Sequence, residues 1–210
     1  MTLAKTDKKG NGDSLPIIGL TGGIGAGKSV VSRVLRTMGY YVYDCDSEAK
    51  RIMQSSPEVK ESLTTWFGEE CYFPDGTLNR QYLASFLFAT NGVLHRGKVN
   101  ILVHRLVRED VERRSREVCG NSTPVFVESA ILYTSQLYRF CRNIWLVDAP
   151  EDLRFERALK RGGIDERSIR ERMKAQQYEF DRLPGEKVEV IDNSGEVSII
   201  LQIRELLNFR

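Results

Sequence analysis

Eight consecutive residues, Gly22 to Ser29 (GGIGAGKS), satisfy the pattern GxxxxGK[ST]. Each residue type in it serves the binding of a nucleotide's phosphates. Glycines let the backbone curl until successive amides point inward at phosphate oxygens, and the N-terminus of a following helix adds a favourable dipole. Gly23, Ile24, Gly25, Ala26, Gly27, Lys28, Ser29 and Val30 are therefore the expected nucleotide-binding residues. Lys28 is expected to reach the β- and γ-phosphates of ATP, and the Ser29 hydroxyl to ligate Mg²⁺. Gly23, Gly25 and Gly27 also fit a dinucleotide-binding GxGxxG, but Lys28-Ser29 and the Gly25-x-Gly27 spacing favour the phosphate loop.

Transfer of a phosphoryl group needs an in-line nucleophile, a group that orients or deprotonates it, and cations over the transferred charge. Asp44 and Asp46 (VYDCD) follow an apolar run, where ligands of parallel sheets collect. One can accept a proton from an acceptor hydroxyl while the other holds Mg²⁺ through water; Asp46 could equally cap the helix that begins there. Glu128 closes the apolar run PVFVE and suits either the water shell of Mg²⁺ or a plain surface position. Arg157 and Arg161, four residues apart, share a helix face, as a lid that lays guanidinium groups over ATP phosphates would require. His104 lies in the helical stretch VNILVHRLV, where packing is as good an explanation as chemistry, and His95 lies in a Gly- and Asn-containing turn.

The elements that must position these residues are legible in the pattern. Pro16 to Thr21 (PIIGLT) reads as a buried strand leading into the glycine loop, with Thr21 structural. Ser29 to Met38 reads as a helix stopped by Gly39, and Tyr40 to Tyr43 as a second strand. From Asp46 to about Cys119 the pattern is mostly helical, with Trp66, Phe67, Leu83, Phe86, Leu87, Phe88, Leu102, Leu106 and Val107 expected inside. A turn is expected at Pro74 to Gly76. Two more strands, Pro124 to Glu128 and Asn143 to Ala149, precede two charged helices broken at Gly162-Gly163, the first of them starting at Pro150. A short strand at Val188 to Ile191 and a helix at Val197 to Leu207 end the chain. Alternating strands and helices imply a three-layer α/β fold around a mainly parallel sheet.

Composition narrows the function. The 210 residues carry 31 Lys and Arg against 29 Asp and Glu, a net charge of +2, so there is no global field for nucleic acid. The basic stretch Arg105 to Arg116 is interrupted by Glu109, Asp110 and Glu112. Cys45, Cys71, Cys119 and Cys141 are 26, 48 and 22 residues apart with no CxxC pair, which reads as reduced thiols and a cytoplasmic protein. No apolar run is long enough to cross a membrane, and nothing points to an obligate protein partner. A guanine-nucleotide switch would carry NKxD; none is present, and the DxxG at Asp192 to Gly195 falls near the end of the chain. A kinase of a small molecule, such as a nucleoside monophosphate kinase, remains compatible with these features.

Taken in order, the motifs resemble those of the dephospho-coenzyme A kinase family. They are GLTGGIGAGKSVVSRVL at Gly19 to Leu35, YDCDSEAKR at Tyr43 to Arg51, DGTLNRQYLASFLFA at Asp75 to Ala89 and WLVDAPEDLRFERALKRGG at Trp145 to Gly163, with RMKAQ at Arg172 to Gln176 and IDNSG at Ile191 to Gly195. The resemblance implies a P-loop fold and ATP-dependent phosphorylation of the ribose 3′-hydroxyl of dephospho-CoA. By its pattern Asp46 is the base, with Asp44, Arg80 and His104 toward the acceptor, Arg157 and Arg161 in the lid, and Asn193 beside adenine. It implies a core of residues 15–45, 120–150 and 183–210, an acceptor domain at 46–119 and a lid at 151–182; residues 1–14, with almost nothing to bury, read as a disordered leader before it. The chain departs from the family's pattern in three places. His104 is followed by Arg105 where the family has Pro, Ala130 to Thr134 (AILYT) stands for the family's PLLFE, and Glu128 stands where Asp is common.

Overall fold

The computed structural model describes residues 16–90, 92–118 and 123–208; the expected leader at 1–14 and Cys119 lie outside them. Five strands, β1 (Ile17–Thr21), β2 (Val42–Asp44), β3 (Val125–Glu128), β4 (Asn143–Asp148) and β5 (Val188–Asp192), form one sheet in the order β2-β3-β1-β4-β5. All four pairings are parallel. Parallel strands put all their C-terminal ends at one edge, so the glycine loop after β1, Asp44 of β2 and Glu128 of β3 come to that edge together. Asp44 and Glu128 are direct register partners.

Alternation along the strands builds two faces. Ile17, Tyr43, Val125, Val127 and Ile144 turn to one side, where they join the core of the helical segment. Ile18, Leu20, Val42, Phe126, Trp145 and Val147 turn to the other. There they pack on Val31 and Leu35 of α1 (Lys28–Thr37) and Ile203 of α8 (Ile199–Asn208).

Four helices, α2 (Cys45–Ser55), α3 (Pro57–Phe67), α4 (Arg80–Leu87) and α5 (Val93–Val118), fill the stretch between β2 and β3. Their starts follow from capping chemistry. Ser56 accepts the Val59 amide with Pro57 at the first helical position, and Asn79 accepts the Tyr82 amide. In α5 the buried residues Val99, Leu102, Val103, Val107 and Val111 keep helical spacing over a rod of about 39 Å at 1.5 Å per residue. The Tyr43 hydroxyl donates to Asp110 of α5 at 2.8 Å, and Arg51 of α2 joins the same carboxylate at 3.0 Å. That network ties the start of α2 to α5.

Two helices, α6 (Glu151–Arg161) and α7 (Glu166–Phe180), lie between β4 and β5. They meet the glycine loop through a small apolar cluster of Ile24, Ala158, Ile169 and Met173.

Several expectations are corrected. Trp66 and Phe88 are 37% and 76% exposed rather than buried, because Trp66 falls on the outer face of α3 and Phe88 is the residue after α4. His95 is not in a turn. It lies in the first turn of α5 with its ring 5.2 Å from that of Phe67, edge-on. The cap of α2 is Asp44, whose carboxylate accepts the Asp46 and Ser47 amides at 3.0 and 3.1 Å, so Asp46 has no capping duty. Cys45, Cys71 and Cys141 are free and buried, as expected for reduced thiols.

Candidate active site

The glycine loop is held in shape from behind. Gly25 has φ +76°, and a Cβ on it would lie 2.0 Å from the Arg154 carbonyl oxygen. Gly27, at φ +98°, precedes α1, and a Cβ there would lie 2.1 Å from the Asn193 amide nitrogen. No other residue type fits either place. The Asn193 side chain donates to the Ala26 carbonyl at 2.7 Å, and Arg157 donates to the Asn193 carbonyl at 2.9 Å.

Lys28 is the first residue of α1, and its ammonium folds back to donate to the Gly22 carbonyl at 3.1 Å. Burial lowers its pKa below 10.5; Glu128 and Asp46 oppose the shift, and Arg161 adds to it. That these charges act on one ammonium shows how tightly the loop, α2, β3 and α6 converge. Glu128 is fixed by the buried Ser32 hydroxyl, which donates to it at 2.5 Å from one turn beyond Lys28 on α1.

A cleft of about 490 Å³ opens over the loop. Its walls carry Gly23, Ile24, Gly25, Gly27, Lys28 and Ser29 from the loop and α1, Asp46 from α2 and Glu128 from β3. Arg157 and Arg161 line it from α6. Four more lining residues had no role assigned from the sequence: Ala130, Ala158, Arg172 and Gln176. Arg172 and Gln176 are four residues apart on α7, the same spacing as Arg157 and Arg161, and that periodicity was the signal available for them. Gln176 accepts the Ile24 backbone N–H at 2.7 Å.

The remaining expected residues sit elsewhere. Ala26 is buried beneath the loop and Val30 faces outward on α1. Asn193 braces the loop from behind, and Asp44 is committed to capping α2. Arg80 begins α4 and lines a separate slot. His104 is half-buried on α5; burial and then Arg108 lower its pKa below 6.5 against the opposing charge of Glu179, so its imidazole is neutral at neutral pH.

The chain matches the family model described as dephospho-CoA kinase over residues 16–198. It belongs to the dephospho-CoA kinase family. A relative named dephospho-CoA kinase from Porphyromonas gingivalis is 43% identical over 162 residues, 77% of this chain and 78% of that one. Another of the same name from Bacteroides fragilis is 38% identical over 193 residues, 91% of each. The fold is shared with the solved dephospho-CoA kinase of Campylobacter jejuni, at TM-score 0.66 and 16% identity over 91% of this chain and 96% of that one. In this member of the dephospho-CoA kinase family, the departure at Thr134 has a visible partner. The buried Glu179 carboxylate of α7 accepts the Tyr133 and Thr134 amides, each at 3.1 Å, and the Thr134 hydroxyl.

Proposed function

We propose that the cleft over the glycine loop transfers the γ-phosphoryl group of ATP to the ribose 3′-hydroxyl of dephospho-CoA, with Asp46 as the base. The observation that carries this reading is the convergence of Asp46 with Lys28, Glu128, Arg157 and Arg161 on one cavity. Asp46 is exposed to the cleft, and its neighbour Asp44 is occupied as a cap, which leaves Asp46 the carboxylate free to meet a hydroxyl. In the step, the 3′-oxygen bonds to the γ-phosphorus, the bond from that phosphorus to the bridging oxygen of ADP breaks, and the hydroxyl proton passes to Asp46. Lys28, Arg157 and Arg161 balance the charge spread over the transferred group.

Mg²⁺ suits the residues present. Ser29 offers an exposed hydroxyl at the head of α1, and Glu128 a carboxylate fixed by Ser32, which fits an ion that keeps most of its own waters and takes phosphate oxygens as ligands. Bound there, it would neutralise charge on the β- and γ-phosphates. Residues 46–119 would hold the acceptor, with Arg80 and His104 toward it, and residues 151–182 would close as a lid. Asn193 would reach the nucleotide from behind the loop. No described helix is long and apolar enough to cross a membrane, and the protein is proposed to work in the cytoplasm.

The test is ADP release by the purified chain with Mg²⁺ and ATP, measured across an acceptor panel. Turnover that depends on dephospho-CoA supports the reading. Turnover only with nucleoside monophosphates, or none with any acceptor, rejects it.

A further inference from the structure

Glu128 stands where the family's pattern commonly has Asp, and its surroundings accommodate the longer side chain. The backbone is set from both sides. Glu128 is the register partner of Leu20 on β1 and of Asp44 on β2, and the next amide, that of Ser129, donates to the Leu20 carbonyl at 3.0 Å. With the backbone held, the remaining freedom lies in the side chain. A glutamate has one rotatable bond more than an aspartate, so an untethered carboxylate here would sweep a wider arc.

That freedom is removed from α1. Ser32 lies one turn beyond Lys28 and is fully buried, beside Val31 and on the face of α1 that also carries Leu35. A serine within a helix commonly bonds its hydroxyl to the carbonyl four residues back. Ser32 instead reaches across to β3 and donates to Oε2 of Glu128 at 2.5 Å. Burying a hydroxyl costs free energy unless it is bonded, and alanine is the better helix former, so α1 alone gives no reason for a serine here. Its partner does, since a hydrogen bond to an ionised acceptor is among the stronger ones. Oε2 is thereby occupied, and Oε1 is left for the cleft, whose wall Glu128 shares with Lys28 and Ser29.

We infer that Ser32 is a positioning residue for phosphoryl transfer: by tethering one oxygen of Glu128 it gives the glutamate the fixed placement that an aspartate has by its shortness, and so sets how strongly nucleotide binding responds to Mg²⁺. The inference rests on the proposed place of Glu128 beside the water shell of Mg²⁺. Ser32 acts only through the carboxylate, and orienting partners of this kind change metal affinity by about 10–100-fold. The two residues form a unit. An aspartate carboxylate at 128 would stand back by about 1.5 Å, one carbon–carbon bond, and out of the hydroxyl's reach.

The experiment is calorimetry of the full chain with β,γ-imido-ATP, which binds without being turned over, in the presence and absence of Mg²⁺. The quantity read is the Mg²⁺ enhancement, the ratio of Kd without the ion to Kd with it. Ser32→Ala removes one atom and suits a helix; it lowers the enhancement about tenfold while Kd without Mg²⁺ stays within about twofold. Damage to the fold alone would weaken both binding constants alike and leave the ratio where it was. In a Glu128→Asp background the same Ser32→Ala change alters the ratio less than about twofold, because the tether is already broken there. An unchanged ratio in Ser32→Ala, or an equal loss in both backgrounds, overturns the inference. Glu128→Gln separates it from the reading beneath it. A lost enhancement in Glu128→Gln with none lost in Ser32→Ala removes the tether alone, whereas a full enhancement in Glu128→Gln removes the Mg²⁺ role of Glu128 and the tether with it.

Discussion

The side-chain oxygen of Gln176 accepts the backbone N–H of Ile24 at 2.7 Å, joining α7 to the phosphate-binding loop. Ile24 is 8% exposed, so this amide has little access to water when the contact is lost. An unsatisfied buried donor costs about 1–3 kcal/mol. Gln176→Ala should therefore lower unfolding stability by about that amount in urea titrations. It should also raise KM for ATP about fivefold, because the loop is no longer held by α7. Unaltered midpoint and unaltered KM together would remove the latch role.

The two aspartates after β2 are separable by one pair of substitutions. Asp44 accepts amides at the start of α2, and asparagine caps a helix about as well as aspartate. Asp44→Asn should keep stability within about 0.5 kcal/mol and retain most of kcat. Asp46→Asn keeps shape but loses the proposed proton acceptor, and should lower kcat by about 10²–10⁴ with KM for dephospho-CoA little changed. Steady-state kinetics on the two variants decide it; a larger kcat loss for Asp44→Asn would reverse the assignment.

Lys28 links nucleotide binding to pH. Its pKa in the free protein lies below 10.5 because burial disfavours the ammonium, and it is the ammonium that attracts phosphate. Nucleotide phosphates raise that pKa, so on the alkaline side binding takes up a proton and affinity falls as pH rises through the free-protein value. Calorimetry of Mg-ATP binding at about pH 9, in two buffers of different ionisation enthalpy, should show net proton uptake. Lys28→Arg should abolish the uptake, since a guanidinium stays charged throughout this range. Equal proton uptake by the two proteins would exclude Lys28 as the titrating group.

What could be read from sequence and what could not have a common cause. The loop, the strands around it and the helix pair broken at Gly162-Gly163 were legible because local chemistry dictates them: glycine conformations, alternating apolar residues, a Lys-Ser helix head. The contacts between distant segments were not. Nothing near Gln176 in the chain says that it meets Ile24, 152 residues away. Trp66 and Phe88 were misplaced for a related reason, since residue type shows a preference for burial but not which helix face meets a neighbour. For Asp46 a helix-capping duty was open until the geometry gave the cap of α2 to Asp44.

The same limit explains Thr134, which from sequence was only a missing glutamate. Its amide, its hydroxyl and the Tyr133 amide all serve the buried carboxylate of Glu179, so the loop after β3 and the end of α7 are complementary as they stand. A glutamate at 134 would lose the hydroxyl donor and set a second carboxylate against one that is only 6% exposed. Like charges held that close and out of water oppose each other strongly. Thr134→Glu, although it restores the residue usual in the family's pattern, should therefore destabilise the protein, by about 2 kcal/mol or more. Glu179→Ala should cost about as much by leaving two amides without an acceptor. The double variant Thr134→Glu, Glu179→Ala should be less unstable than the sum of the singles, since the new carboxylate can take over the vacated amides. Urea titrations of the four proteins measure this directly; strict additivity would show that the two positions do not act on each other.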